Sequence, residues 1–372
     1  MNNLLDQIEP ILLMGPGPSN VPSAVYEALA RPTIGHLDPV FINIMDGVKE
    51  QLRTLFKTEN TLTLPISGTG SAGMEACFVN LVEPGDEVLI LINGVFGQRM
   101  QDVATRLRAQ VDTLVYPWGT PVDPNDVRQK LKEKAYKIVA VVHAETSTGV
   151  CNPVGIIGEI VKDTPALYLV DAVTSFGGIE VDVDEWGIDA IYSGTQKCLS
   201  CPPGLAPASF SDRAVEVIEK RKTKVPNWYL DLSLIIQYWE GAKRAYHHTA
   251  PINMIYALYQ ALALILEETP AAVYQRHMTN HLSLVEGLER LGLEMLVAPE
   301  FRLPMLNAVK LPEGLNEGEA RKALRMDHKI EIGAGLGPLA GKIWRIGLMG
   351  NTSRAENVER ILSAMDEILL HD

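Results

Sequence analysis

Basic residues are outnumbered in this chain: 33 Lys and Arg stand against 46 Asp and Glu, a net charge of −13. An acidic protein is repelled by phosphodiester backbones and anionic headgroups, which argues against nucleic acid and membrane surfaces as partners. Cysteine is scarce. Cys77, Cys151, Cys198 and Cys201 are too few to staple 372 residues with a disulfide framework. No apolar run reaches the roughly 18–20 residues that cross a bilayer. The opening Met1–Glu9 carries neither a basic n-region nor an Arg-rich amphipathic pattern, and Leu369–Asp372 is not a peroxisomal address. A cytoplasmic location is the expectation. Internal repeats and low-complexity linkers are also missing.

The chain does have the 47% hydrophobic and 21% charged content of an ordinary globular enzyme, at a length beyond one typical core. Short apolar runs at Thr61–Ile66, Glu87–Asn93, Lys137–Ala144, Ala166–Asp171, Asp189–Ser193 and Leu205–Phe210 read as strands. Helical stretches such as Gly97–Arg108 and Pro124–Lys134 separate most of them, which implies α/β architecture with parallel strands. From about Pro251 the pattern changes. Helices over Asn253–Glu268 and Ala271–Leu291 precede strand-like pieces at Leu293–Val297, Asn307–Lys310 and Trp344–Leu348. A short helix lies near Glu317–Arg325, and a closing one, Arg354–Leu369, begins at a Thr-Ser cap. The expected division is an arm (1–16), a large domain (17–267) and a smaller α+β domain (268–372).

Two charges end apolar runs. Asp171 closes Leu167–Asp171, and Lys197, 26 residues later, closes Ile191–Lys197. The carboxyl ends of strands are where open α/β sheets bind ligands. An amine and a carboxylate there suit pyridoxal phosphate: the amine forms the Schiff base and the carboxylate pairs with the protonated ring nitrogen. Alone, Asp171 equally suits a helix cap or a Mg²⁺ ligand, and Lys197 a solvated surface position.

Ser67–Ala76 follows a strand with small residues and opens a helix, which makes a credible phosphate cradle. Gly68, Gly70 and Gly73 also satisfy the dinucleotide GxGxxG pattern, so a nicotinamide-dependent oxidoreductase is an alternative. The next strand ends at Asn93 rather than at an acidic residue, which weakens that alternative. Arg345 interrupts an apolar strand, and its guanidinium fork matches a substrate carboxylate or a structural ion pair. His247-His248 lacks a further metal-ligand set, and no metal is expected. Cys198 and Cys201 form a lone CxxC, read as packing, though thiols beside Lys197 would sensitise an enzyme to alkylation.

Together these residues resemble the alanine–glyoxylate/serine–pyruvate aminotransferase family of class V, fold-type I pyridoxal-phosphate enzymes. The similarity runs from Met14–Asn20 through Ser67–Ala76, Asn93–Arg99, Glu145–Val150, Asp171–Ser175, Ser193–Lys197 and Tyr246–Thr249 to Gly335–Pro338 and Arg345–Gly350. The resemblance implies a large domain with a mostly parallel seven-stranded sheet and a smaller C-terminal domain. It implies that Lys197 holds the coenzyme and shuttles a proton, that Asp171 pairs with the pyridine nitrogen, and that Val173 and Phe96 pack on its two faces. Animal members usually carry Trp at the Phe96 position. Thr146 would lie near the ring hydroxyl, and Thr69, Gly70, Ser71 and Gln196 would hold the phosphate. Tyr246 and Thr249 would reach that phosphate from the second subunit of a homodimer. Arg345 would clamp the substrate carboxylate, with Gly17 closing the pocket.

The implied reaction is ping-pong transfer from a small amino acid, alanine or serine, to a 2-oxo acid such as glyoxylate. Ureidoglycine–glyoxylate and kynurenine-type transaminases are alternatives. The ureidoglycine enzymes tend to have Asn at the Tyr246 position and Gln at the His36 position. Cysteine desulfurases need a reactive cysteine in the C-terminal part, and none follows Cys201. A catalytically silent relative that only binds partners is a further alternative.

Overall fold

The computed structural model describes residues 3–240 and 244–371, the last two of these as backbone only. Met1, Asn2 and Asp372, which belong to the terminal segments discussed above, lie outside the described residues. Seven strands form the main sheet: β1 (Leu62–Ser67), β2 (Glu87–Ile92), β3 (Gln110–Val115), β4 (Ile138–Val142), β5 (Leu167–Asp171), β6 (Ala190–Tyr192) and β7 (Leu205–Phe210). Their order is β1-β7-β6-β5-β4-β2-β3. Every pairing is parallel except those of β7, which runs antiparallel to both neighbours.

Six of these strands form where apolar runs predict them, trimmed by a residue or two at some ends. The exception is β3. Its Gln110, Asp112 and Thr113 break any apolar run, because β3 lies at the sheet edge and stays partly exposed along its length. Edge strands protected by polar side chains resist pairing with other chains. Asp112 is held there by the Tyr136 hydroxyl at 2.6 Å and the Lys134 ammonium at 3.2 Å.

The central strands are buried on both faces, as the parallel architecture demands. Leu64, Ile90, Val139, Leu169, Ile191 and Ala206 belong to one large core. A second core contains Met14, Leu284, Leu324, Trp344, Ile361 and Met365. It rests on a three-stranded antiparallel sheet of β8 (Leu306–Lys310), β9 (Gly333–Ala334) and β10 (Ile343–Gly347), in the order β8-β10-β9. Leu12–Leu13 pairs in parallel with Ile330–Glu331, which brings Met14 into that core. Helix Pro270–Arg290 contributes Val273 to the first core and Leu284 and Leu288 to the second.

Two expectations fail locally. Leu293–Val297 forms only a single bridge, Met295 to Val309, rather than a strand. The last helix begins at Ala355, and the hydroxyls of Thr352 and Ser353 act elsewhere. Thr352 accepts from the Met349 amide at 3.0 Å, and Ser353 accepts from Asn280 at 3.2 Å. Among the described residues no helix is long and apolar enough to cross a membrane.

Helix α1 (Gly70–Leu81) presses on the sheet through Gly73. A Cβ there would stand 2.9 Å from the Ala206 Cβ and 3.0 Å from the Tyr192 Cβ, so this glycine sets the helix–strand distance. Close packing accounts for the third glycine of the GxGxxG pattern. Gly73→Val should therefore lower the thermal midpoint, with an overpacking cost of about 1–3 kcal/mol measured by denaturation of the purified protein. An unchanged midpoint would mean that α1 rides freely over the sheet.

Candidate active site

The carboxyl ends of β1, β2, β4, β5 and β6 meet around one cleft. Parallel register places Asp171, the last residue of β5, beside Tyr192 on β6. The Tyr192 hydroxyl donates to Asp171 Oδ2 at 2.7 Å, and the Val173 amide donates to Oδ1 at 2.8 Å. Burial pushes the Asp171 pKa up to about 6, against these two hydrogen bonds and the charges of Lys197 and Arg99. Buried carboxylates need such donors to remain ionised near neutrality.

Lys197 lies five residues past the end of β6, in a turn rather than on the strand itself. The N-terminal segment fixes that turn. Ser19 donates from its hydroxyl to the Lys197 carbonyl at 2.7 Å and from its amide to the Gln196 carbonyl at 2.9 Å. The Lys197 ammonium donates to the Pro16 carbonyl, and a Cβ on Gly17 would fall 2.6 Å from Nζ. Burial lowers the Lys197 pKa to about 8, with the charge of Arg345 acting in the same direction. A sizeable neutral fraction of the amine therefore exists in mildly alkaline solution.

β1 leads through Gly68 into α1, whose N-cap is Thr69. Thr69 makes no side-chain cap; its carbonyl accepts from the Ala72 amide at 2.7 Å, which leaves the Gly70 and Ser71 amides of this 12-residue helix without an acceptor from it. Such an end attracts an anion. Gln196 Oε1 is buried without a hydrogen-bond partner. Eight expected site residues line one cleft: Gly70, Ser71, Phe96, Thr146, Asp171, Val173, Gln196 and Lys197.

Five others border it or stand apart. Thr69 directly precedes Gly70, and Gly17 touches Lys197. Arg345, on β10 and 6% exposed, donates to the Ala334 carbonyl at 2.7 Å and to the Thr146 carbonyl at 3.2 Å. Burial lowers its pKa to about 10, and the Glu145 carboxylate opposes that shift. Tyr246 and Thr249 are exposed and do not line the cleft. The Tyr246 hydroxyl lies 3.4 Å from Thr249 Oγ1, and its ring lies 5.0 Å from that of His36.

Pattern reading missed Tyr192, Arg99 and Glu145. Tyr192 gave a usable signal, since a phenol inside a buried strand requires a polar partner. Arg99 follows Phe96 by three helical positions, and its guanidinium sits 4.9 Å from the centre of that ring, also lining the cleft. Glu145 is wholly buried, and burial pushes its pKa up to about 7.

Other candidates take structural roles. His247 Nδ1 lies 2.8 Å from His248 Nδ1, whose ring reaches Ser67 Oγ at 2.9 Å through Nε2. His247 Nε2 lies 3.3 Å from the Trp228 carbonyl, so all four ring nitrogens have protein partners. Among the described residues no His, Cys, Asp and Glu cluster could hold a metal ion. Cys198 and Cys201 are buried, and burial pushes both thiols up to about 12. That overturns the expected sensitivity to alkylation, because the thiolate is the reactive form. Asn93, which directly follows β2 where the dinucleotide pattern calls for an acidic residue, instead exchanges hydrogen bonds with Asn152 at 2.9 and 3.1 Å.

The aminotransferase class-V family matches residues 11–361. The chain is 40% identical to the (S)-ureidoglycine–glyoxylate transaminase of Bacillus subtilis over 96% of this chain and 90% of that protein. It is 40% identical to the alanine–glyoxylate aminotransferase of Drosophila melanogaster, over 96% of this chain and 92% of the relative. The crystal structure of an alanine–glyoxylate aminotransferase from Nostoc sp. superimposes with a TM-score of 0.95 at 46% identity, covering 99% of both chains. The chain belongs to the class-V aminotransferases, a family of pyridoxal-phosphate-dependent enzymes, and is a transaminase on the fold-type I scaffold.

Proposed function

We propose that this enzyme moves the amino group of alanine or serine to glyoxylate, with pyridoxal phosphate held in the cleft at the strand ends. The observation that carries the proposal is the meeting of Lys197, Asp171 and an uncapped helix N-terminus around one space. These residues fit the coenzyme. The α1 amides, the Thr69 and Ser71 hydroxyls and the donor NH₂ of the Gln196 side chain suit its phosphate end, and the buried Asp171 carboxylate suits a cationic ring nitrogen. Phe96 and Val173 supply apolar walls for the ring, and Thr146 a hydroxyl at its edge. When bound, pyridoxal phosphate supplies an electron sink for charge developing at the substrate α-carbon.

The protein's own contributions follow from position and charge. Asp171 keeps a proton on the ring nitrogen by remaining an anion, which Tyr192 and Val173 support. Lys197 Nζ takes the proton from the substrate α-carbon, and a pKa lowered to about 8 suits a general base near neutrality. Arg345 orients the substrate through its carboxylate. Its hold on the Ala334 and Thr146 carbonyls leaves it already positioned beside the cleft. Gly17 closes the pocket against Lys197.

A homodimer completes the site. Tyr246 and Thr249 are exposed and lie outside the cleft of their own chain, as suits residues that serve a neighbouring subunit's phosphate. Tyr246 and His36, the two positions that speak against ureidoglycine, lie against each other. One specificity element formed by both residues accounts for that contact.

The reading is tested by comparing kcat/KM for alanine, serine, ureidoglycine and kynurenine, each with glyoxylate and pyruvate. Alanine or serine should lead, and a clear preference for ureidoglycine would replace the substrate assignment. Lys197→Ala should abolish turnover in a folded dimer, and substantial residual transamination would remove Lys197 from its role. Arg345→Ala should lower kcat/KM for carboxylate substrates on the order of 100-fold while leaving coenzyme affinity nearly intact. Equal loss of both would make the arginine structural.

A pH series gives an independent check. The neutral Lys197 amine is the nucleophile, so the bimolecular rate of pyridoxal phosphate uptake by the apoprotein should rise with pH to a plateau, with its midpoint near 8. Stopped-flow absorbance measures this, and a midpoint above 10 would show an ordinary solvated lysine.

A further inference from the structure

Helix α2 (Val95–Arg106) begins without a side chain to cap it. Its N-cap is Gly94, which offers the first-turn amides no acceptor. The acceptors arrive from another part of the chain, the segment that follows β4. Glu145 Oε2 accepts from the Phe96 amide at 3.1 Å and the Gly97 amide at 3.3 Å. Ser147 Oγ accepts from the Val95 amide at 2.9 Å and donates to Glu145 Oε1 at 2.5 Å. The Ser147 amide adds a fourth donor to this carboxylate at 3.1 Å. Glu145 is 0% exposed.

This borrowed cap needs a bare backbone at position 94. A Cβ there would lie 2.3 Å from Glu145 Cδ and 2.5 Å from Ser147 Oγ, so no larger residue fits beside the carboxylate. A residue with a capping side chain is thereby excluded, and Glu145 takes over that task. The choice of a carboxylate follows from its surroundings. Four donors face it and favour its ionised, acceptor-only form against the opposing effect of burial. Negative charge also suits the positive end of a helix. A glutamine would turn an NH₂ group toward these donors.

The consequence falls on Phe96, the second residue of α2, whose own amide is one of the four hydrogen-bonding groups. Its ring lines the cleft. The residue after Glu145 is Thr146, which also lines the cleft and whose carbonyl receives Arg345. We propose that Glu145 is the positioning residue for the aromatic wall of the coenzyme site, fixing the Phe96 ring by capping the helix that carries it. The inference rests on the pyridoxal phosphate reading above and adds a residue that touches neither coenzyme nor substrate.

A double-mutant cycle decides it. Pyridoxal phosphate dissociation constants are measured by titrating the dimeric apoprotein, as wild type, Glu145→Gln, Phe96→Ala and the double variant. Glu145→Gln should weaken binding ~10-fold, equivalent to about 1.4 kcal/mol at 25 °C. In the Phe96→Ala background the same change should cost under ~2-fold, because residues acting through one contact are not additive. Full additivity would overturn the proposal, as would unchanged affinity in Glu145→Gln. Ser147→Ala keeps the carboxylate but removes the acceptor for the Val95 amide. It should weaken binding in the same Phe96-dependent way, and it replaces the glutamine variant should that one not fold. Wild-type protein that takes up no pyridoxal phosphate would instead overturn the proposed function, and this inference with it.

Discussion

A carboxylate sealed at the end of a buried strand is stable as an anion only where donors converge on it. Asp171 meets that condition through the parallel register of β5 and β6, which sets Tyr192 directly alongside. The hydroxyl on one carboxylate oxygen and the Val173 amide on the other fix its orientation and its proton affinity together. Shifting β6 by one residue would send Tyr192 to the opposite face of the sheet and leave Oδ2 bare. The geometry of the site therefore depends on strand pairing before it depends on any loop.

The sheet order brings the remaining parts to the same edge. β1 delivers the helix N-terminus, β2 the Phe96 helix, β4 the Glu145–Ser147 segment, and β6 the turn of Lys197. None of these elements suffices alone. The N-terminal segment then acts as a bolt, since Ser19 and the Pro16 carbonyl hold the Lys197 turn while Met14 is anchored in the second core. β10 of that core supplies Arg345, so the proposed substrate clamp and the cleft around Lys197 belong to different packing units. Relative movement of the two cores would change the distance between clamp and lysine.

Six of the seven main strands, Asp171, Lys197 and Arg345 were legible because each stands out against a one-dimensional background. A charge that ends or interrupts an apolar run is visible without a structure. β3 was not legible, since an edge strand with Asp112 and Thr113 carries no apolar signature. The borrowed cap was hidden for a different reason. Gly94 and Glu145 are 51 residues apart, and only the sheet brings them into contact. Local propensity explains a helix that caps itself, but it says nothing about one capped by a distant strand. Likewise, GxGxxG could not separate a phosphate-binding glycine from Gly73, whose role is to let α1 approach Tyr192 and Ala206.

The two principal charges act against folding over the pH range in which they are useful. Burial raises the Asp171 pKa from 3.8 to about 6, so its folded form binds a proton more tightly than the unfolded chain, and stability falls as pH rises through that interval. Burial lowers the Lys197 pKa from 10.5 to about 8, so stability falls as pH drops through that interval. Between about 6 and about 8 both groups are charged and both desolvation costs are present, eased by their mutual attraction. A ligand that consumes the ammonium charge of Lys197 and presents a cation to Asp171 relieves both costs at once. Binding such a ligand stabilises the folded state in proportion to the strain that the empty cleft carries. The site is built at the expense of the apoprotein, and a coenzyme that neutralised both groups would return that stability on binding.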